Sequence, residues 1–119
     1  MNADHLISKI KRHPAYDRVG MILCHNGVVR ATSRDGRKVT GLRVTVDRER
    51  LAKVLAEHRS RPGIVDIQVE IDADTDLATG DDVMMLVVAG DIRENVIDAL
   101  TDTLNAIKTT VTAKTEFFV

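Results

Sequence analysis

Apolar residues along this chain change their period several times, and each change marks a new element. Leu6, Ile7 and Ile10 recur at helical spacing over residues 3 to 12 until Pro14 interrupts them, which predicts a short first helix. From Val19 to Ala31 the run VGMILCHNGVVRA is rich in strand formers, and Gly27 inside it marks a bulge or a close backbone approach. A polar, basic loop, TSRDGRK, divides this strand from VTGLRVTV, and the two can pair as a hairpin. Asp47 is placed to cap a helix with Leu51, Val54, Leu55 and His58 on one face, and Pro62-Gly63 turns the chain after it. In IVDIQVEI, Ile67, Val69 and Ile71 alternate as a half-buried strand requires.

An acidic stretch, DADTDLATGDD, reads as a loop leading into VMMLVVAG, whose unbroken apolar character predicts a central strand. Asp91 followed by Glu94 is a capping-box spacing, and Ile97, Leu100, Leu104 and Ile107 define the expected buried stripe of a long helix that exposes Arg93, Asp98 and Asp102. The closing strand should turn Val111, Ala113 and Phe117 to one side and Thr112, Lys114 and Glu116 to the other. The order α-β-β-α-β-β-α-β predicts a single α+β domain over residues 1–119 with mixed sheets. VMMLVVAG and the terminal Phe117-Phe118 together offer more apolar surface than a small monomer hides, so a homodimer is expected.

Composition narrows the function classes. Net charge is −1, which provides no general field for nucleic acid or membrane, and 3% aromatic residues leave little for base stacking. One cysteine, Cys24, excludes an internal disulfide and a cysteine zinc cluster. The opening MNADHLISKIKRHP has no leader pattern and no run approaches membrane-spanning length, so a cytoplasmic location is the expectation.

Several side-chain groups invite a chemical reading. Asp72, Asp74 and Asp76 have the first spacings of a calcium loop, but Leu77 stands where the glycine is needed and Val83 where the last acidic ligand is needed, so no metal site is expected. Cys24 and His25 adjoin in a strand and face opposite ways; Cys24 is read as a buried, inert thiol. His5, His13 and His58 lack ligand spacing. The basic stretch Arg30, Arg34, Arg37, Lys38 and Arg43 is either a solvated charge cluster or a site for a small anion. Arg93 at a helix start suits a phosphate, or is a surface charge. Lys108 and Lys114, close together near the end of the chain, either guard an edge strand or line a pocket.

The order of motifs resembles the MoaE family, the large subunit of molybdopterin synthase, from about Gly20 to Glu116. GMILCHNGVVR is similar to the family's opening strand, which ends in an arginine, here Arg30. LATGDDVMMLVVAG is similar to its leucine, glycine-aspartate turn and apolar strand; Arg93 falls on the arginine that begins the long helix, Lys108 on the lysine that ends it, and Lys114 with Glu116 on the last lysine and glutamate. The departures are Ile92 for a histidine, Thr45-Val46 for a glutamate-histidine pair, one residue fewer between the lysines, and no basic C-terminal extension.

The resemblance implies an α/β-hammerhead-like domain that transfers sulfur to cyclic pyranopterin monophosphate in molybdenum cofactor biosynthesis. The sulfur would come as a thiocarboxylate on the Gly-Gly tail of a small ubiquitin-like carrier subunit, two carriers and a homodimer forming a heterotetramer. It implies Lys108 and Lys114 as catalytic residues, Arg30, Arg93 and Lys108 as substrate-binding, and Lys114, Arg37 and Lys38 as contacts of the carrier tail, with no cofactor or metal. Arg93 would complete the neighbouring subunit's pocket. The alternative is a non-catalytic dimeric protein of the same fold that binds the carrier or another anionic ligand.

Overall fold

The computed structural model describes residues 1–119, an elongated body of 49 × 25 × 23 Å. Its length comes from two separate three-stranded sheets. The first has strand order β1 (Met21–Val28), β5 (Asp82–Gly90), β3 (Ile64–Ile71); the second has β4 (Asp76–Ala78), β2 (Val39–Val46), β6 (Thr112–Phe118). The helices are α1 (Ala3–Lys11), α2 (Arg48–Arg59) and α3 (Arg93–Ala106). None is long and apolar enough to cross a membrane.

The predicted α+β order holds, with β4 added inside the acidic stretch read as a loop. Arg43 draws that stretch in, bonding Asp76 Oδ1 at 3.0 Å and Asp74 O at 2.8 Å across the ladder. The sheets are not mixed, because all four pairings are antiparallel. Parallel neighbours arise where a crossover helix returns the chain to the same sheet; here α2 and α3 each carry it from one sheet to the other. β1 and β2 form no hairpin, because the loop between them carries the chain from the first sheet to the second: β1 pairs with β5, and β2 with β4 and β6. Gly27 sits at the expected bulge, where the β1 register shifts.

β5 is the centre of the fold. Met84, Leu86 and Val88 face α2 and α3 across a core that includes Leu51, Val54, Val96, Ala99 and Ile107; Met85, Val87 and Ala89 face Leu6 and Ile10 of α1. The strand is therefore hidden within one chain, and the homodimer expectation loses the support it drew from VMMLVVAG. On α3 the buried face is Val96, Ala99 and Thr103 followed by Ile107, while Ile97 is exposed. Small residues on that face let the helix lie close to the sheet, and Leu100 and Leu104 flank the contact. The capping box does not form either. Asp91 N donates to Gly63 O at 2.9 Å, leaving Glu94 no amide to reach, and Ile92 takes the N-cap position. Gly63 turns there with φ of 81°, a conformation that favours glycine. Cys24 is exposed beside α1 rather than buried; partial burial and the nearby Asp4 carboxylate still push its thiol pKa up, against reactivity.

Candidate functional site

After Ala106 the α-helix widens into a single π turn, Ile107–Val111, and enters β6 without a linker. The hydroxyls of Thr109 and Thr110 donate to Asn105 O and Ala106 O at 2.8 and 2.6 Å, and Thr112 Oγ1 donates to Ile107 O at 3.3 Å. Ile107 and Val111 stay in the main core. Lys108 lies between them on the open side of the turn, exposed and without an ion pair. Such widened turns recur at functional sites because they turn one side chain out of the helical sequence of directions.

Strand register then decides the face of Lys114. It lies opposite Val44, and Glu116 opposite Leu42, in the β6–β2 ladder. Residues directly opposite share a face, and Val44 and Leu42 are buried on the inner one. The polar side of the closing strand thus faces inward. Lys114 Nζ stands 3.9 Å from Glu116 Oε1.

Lys108 and Lys114 meet in a cleft of about 590 Å³ between the two sheets. Its floor includes Val83 and Met84 from β5 and Ile71 from β3; His25 comes from β1, and Arg34 and Asp35 close one side from the loop before β2. That loop is ordered by Ser33, whose hydroxyl donates to Asp35 Oδ1 and accepts from Arg37 N at 3.1 Å. The Ser33 hydrogen bond, foremost, holds the Asp35 carboxyl below its ordinary pKa. Arg37 stacks its guanidinium 3.6 Å above the Phe118 ring, fastening the loop to the end of β6.

The remaining sequence-predicted residues lie elsewhere in this chain. Arg30 is exposed outside the cleft, its Nε donating to Thr32 O at 2.8 Å. Lys38 is exposed on the strand side of the loop, where its carbonyl accepts from Val119 N at 3.2 Å. Arg93 is paired with Glu94 at 3.3 Å and 79% exposed. It starts the helix that Lys108 follows, and the rise of fifteen residues separates them by roughly 22 Å. One chain therefore does not assemble the four-cation pocket of Arg30, Arg93, Lys108 and Lys114. It assembles Lys108, Lys114 and Arg34 against Glu116 and Asp35.

His25 is the cleft residue that sequence reasoning missed. Its Nε2 is sealed from solvent with no hydrogen-bond partner. Burial first, then the Lys108 charge, lower its pKa below the ordinary histidine value. The i, i+2 spacing of His25 and Gly27 on one strand face was the available clue. Chemically, the arrangement offers two lysines and an arginine for an anion, an unpaired Lys108 beside an imidazole of lowered pKa, and apolar walls that weaken competition from water.

The family model described as MoaE protein matches residues 1–110. No curated protein matches the sequence significantly. Among solved structures, a molybdopterin cofactor biosynthesis protein E from Burkholderia multivorans superposes with a TM-score of 0.78 at 19% identity, covering 100% of this chain and 81% of that one. Molybdopterin synthase from Staphylococcus aureus gives 0.73 at 20% identity, over 87% and 77% of the two chains. A complex of subunits 1 and 2 of the molybdopterin-converting factor from Helicobacter pylori gives 0.71 at 14% identity, over 100% and 84%. At these identities the likeness of structures is one of fold.

Proposed function

The chain belongs to the MoaE protein family, and we propose that it is the large subunit of a molybdopterin synthase, moving sulfur from a thiocarboxylated carrier tail to cyclic pyranopterin monophosphate. The observation that carries this reading is the meeting of Lys108 and Lys114 in one cleft although they belong to different elements. Both reactants are anionic. Lys114 is set to pair with the carrier's tail, while Lys108, with no acidic partner of its own, is set to hold the substrate phosphate and stabilise charge developing during attack. A cleft lined by Arg34 and Asp35, on a loop fastened to β6 by the Arg37–Phe118 stack, suits an extended Gly-Gly segment, which has no side chains to exclude.

A small carrier subunit is the proposed partner, a reading supported by the two-subunit complex among the similar folds. The homodimer is proposed on other grounds than β5. Ile92 and Ile97 are exposed at the start of α3, 53% and 45%, on either side of Arg93. A second copy covering them, with its cleft turned towards the start of α3, would supply Arg93 with the lysines it does not reach within its own chain, Lys108 being roughly 22 Å away along its own helix.

Reconstitution tests the reading. With thiocarboxylated carrier and precursor supplied, the protein should form dithiolene product, and a carrier lacking its last two glycines should bind far more weakly in titration calorimetry. Equal binding of the two carriers would overturn tail docking. Binding without product would leave a non-catalytic carrier-binding protein.

A further inference from the structure

Three buried side-chain polar atoms in this protein have no hydrogen-bond partner: Thr103 Oγ1, His58 Nδ1 and His25 Nε2. Thr103 is inside the α3 contact and His58 at the end of α2, both away from the cleft; His25 lines it. A buried polar atom left unpaired has given up its hydrogen bonds to water and gained none in return. At the wall of a cleft, a ligand can relieve that cost.

The surroundings of His25 say which kind of ligand. Its ring lies along Gly27, where an added Cβ would stand 3.4 Å from Nε2. The elements around the cleft contribute Lys108 from the π turn, Lys114 and Glu116 from β6, and Arg34 and Asp35 from the loop, while β3 and β5 contribute only apolar Ile71, Val83 and Met84. Of the charged groups, Lys108 acts on the imidazole and, after burial, lowers its pKa. An anion seated on Lys108 offsets these influences. It cancels the lysine's repulsion and gives the ring an acceptor for a second N–H.

We propose that His25 is a specificity-determining residue of the cleft: when a phosphate-class dianion binds at Lys108 and Lys114, the imidazole takes up one proton from solvent and becomes a further cation holding it. The proposal rests on the anion-binding reading of the cleft. The only bond formed is N–H, and the gained charge favours a dianion over a monoanion. Affinity then rises as pH falls through the histidine pKa of the complex and levels off below the lower pKa of the free protein. Each pKa unit between the two is worth about tenfold in affinity.

Sulfate is the suitable probe, because it stays dianionic across the working range and any pH dependence belongs to the protein. Titration calorimetry of the full chain with sulfate, from about pH 8 to about pH 5 in buffers of different ionisation enthalpy, should show affinity rising about tenfold with proton uptake that peaks at roughly half a proton between the two pKa values. His25→Gln and His25→Phe should lose both the rise and the uptake; the glutamine variant serves should the phenylalanine one fail to fold. A parent that binds sulfate equally at all pH values, or a glutamine variant that still takes up the proton, overturns the role of His25 and leaves the cleft reading standing. Failure of the parent to bind sulfate at all, or binding untouched by Lys108→Ala, overturns both.

Discussion

The two sheets have three strands each and opposite employments. In the first, β5 is covered on both faces, and every side chain from Met84 to Ala89 is buried. In the second, one face rests on a cluster of only four buried residues, and β6 contains no buried residue at all. A strand like β6 is held by its backbone ladder and by register rather than by apolar burial, which frees its inward face to carry a lysine and a glutamate. Stability and reactivity are thus divided between sheets. They meet at the π turn, where Ile107 and Val111 belong to the first core and Lys108 to the cleft.

The division breaks most severely through the core of the first sheet. Leu86→Ala removes a fully buried side chain from the centre of β5 and should cost about 3–5 kcal/mol in denaturant unfolding. Leu42→Ala, beside the cleft in the four-residue cluster, should cost less, because solvent and neighbouring side chains can occupy the space. Equal losses would mean that the sheets share the stabilising load.

The next largest effect reverses the roles. Lys108→Ala should lower sulfur-transfer turnover by about 100-fold or more. Because Lys108 is exposed and unpaired, stability should stay within about 0.5 kcal/mol of the parent. Lys114→Ala should slow turnover and also weaken carrier binding, its proposed partner being the tail. Parent-like turnover in both variants would return the lysines to the status of surface charges.

A sharper question is whether the face of β6, rather than its composition, carries the activity. Exchanging Lys114→Thr with Thr115→Lys keeps the same residues and moves the charge to the outer face. The moved lysine stands opposite Arg43, so unfolding should become easier by no more than about 1 kcal/mol, while turnover should fall as far as with Lys114→Ala. If the exchanged protein keeps its rate, a diffuse positive field suffices and the register argument fails.

What was legible in the sequence follows the same division. An unbroken apolar run placed β5 and the helical period placed α2, because burial leaves its mark on the order of residues. The alternation of β6 gave the side of Lys114 correctly, but only the ladder to β2 shows that this side faces inward. Three things escaped for physical reasons. The pairing of β1 with β5 rather than β2 is a long-range choice with no local mark. β4 is three residues held to β2 by Arg43, too short for a period. The α3 stripe was displaced because Ala99 and Thr103 pack better against the sheet than their modest hydrophobicity suggests, leaving Ile97 outside. Within the site, Lys108 and Lys114 stood out by order and spacing. His25 did not, since only the fold reveals that its nitrogen has no partner.

The smallest effect lies at the opposite end of α3 from Lys108. The Asp91 carboxylate accepts from Asn95 Nδ2 at 2.9 Å and from Ile92 N at 2.7 Å, and these bonds, that of Asn95 foremost, hold its pKa below the ordinary value. A depressed folded-state pKa contributes stability that is present above the unfolded value, about pH 4, and is lost as pH falls through the folded one. Asp91→Asn should therefore lower the melting temperature slightly near neutral pH, and the gap from the parent should close in strong acid; a gap constant with pH would show that the charge of Asp91 is irrelevant. The same variant weighs the proposed dimer. If the start of α3 serves only its own sheet, loosening it leaves turnover unchanged. If Arg93 works in a second copy's cleft, Asp91→Asn should reduce turnover several-fold while Lys108 and Lys114 remain in place, tying the stable sheet of one chain to the reactive sheet of the other.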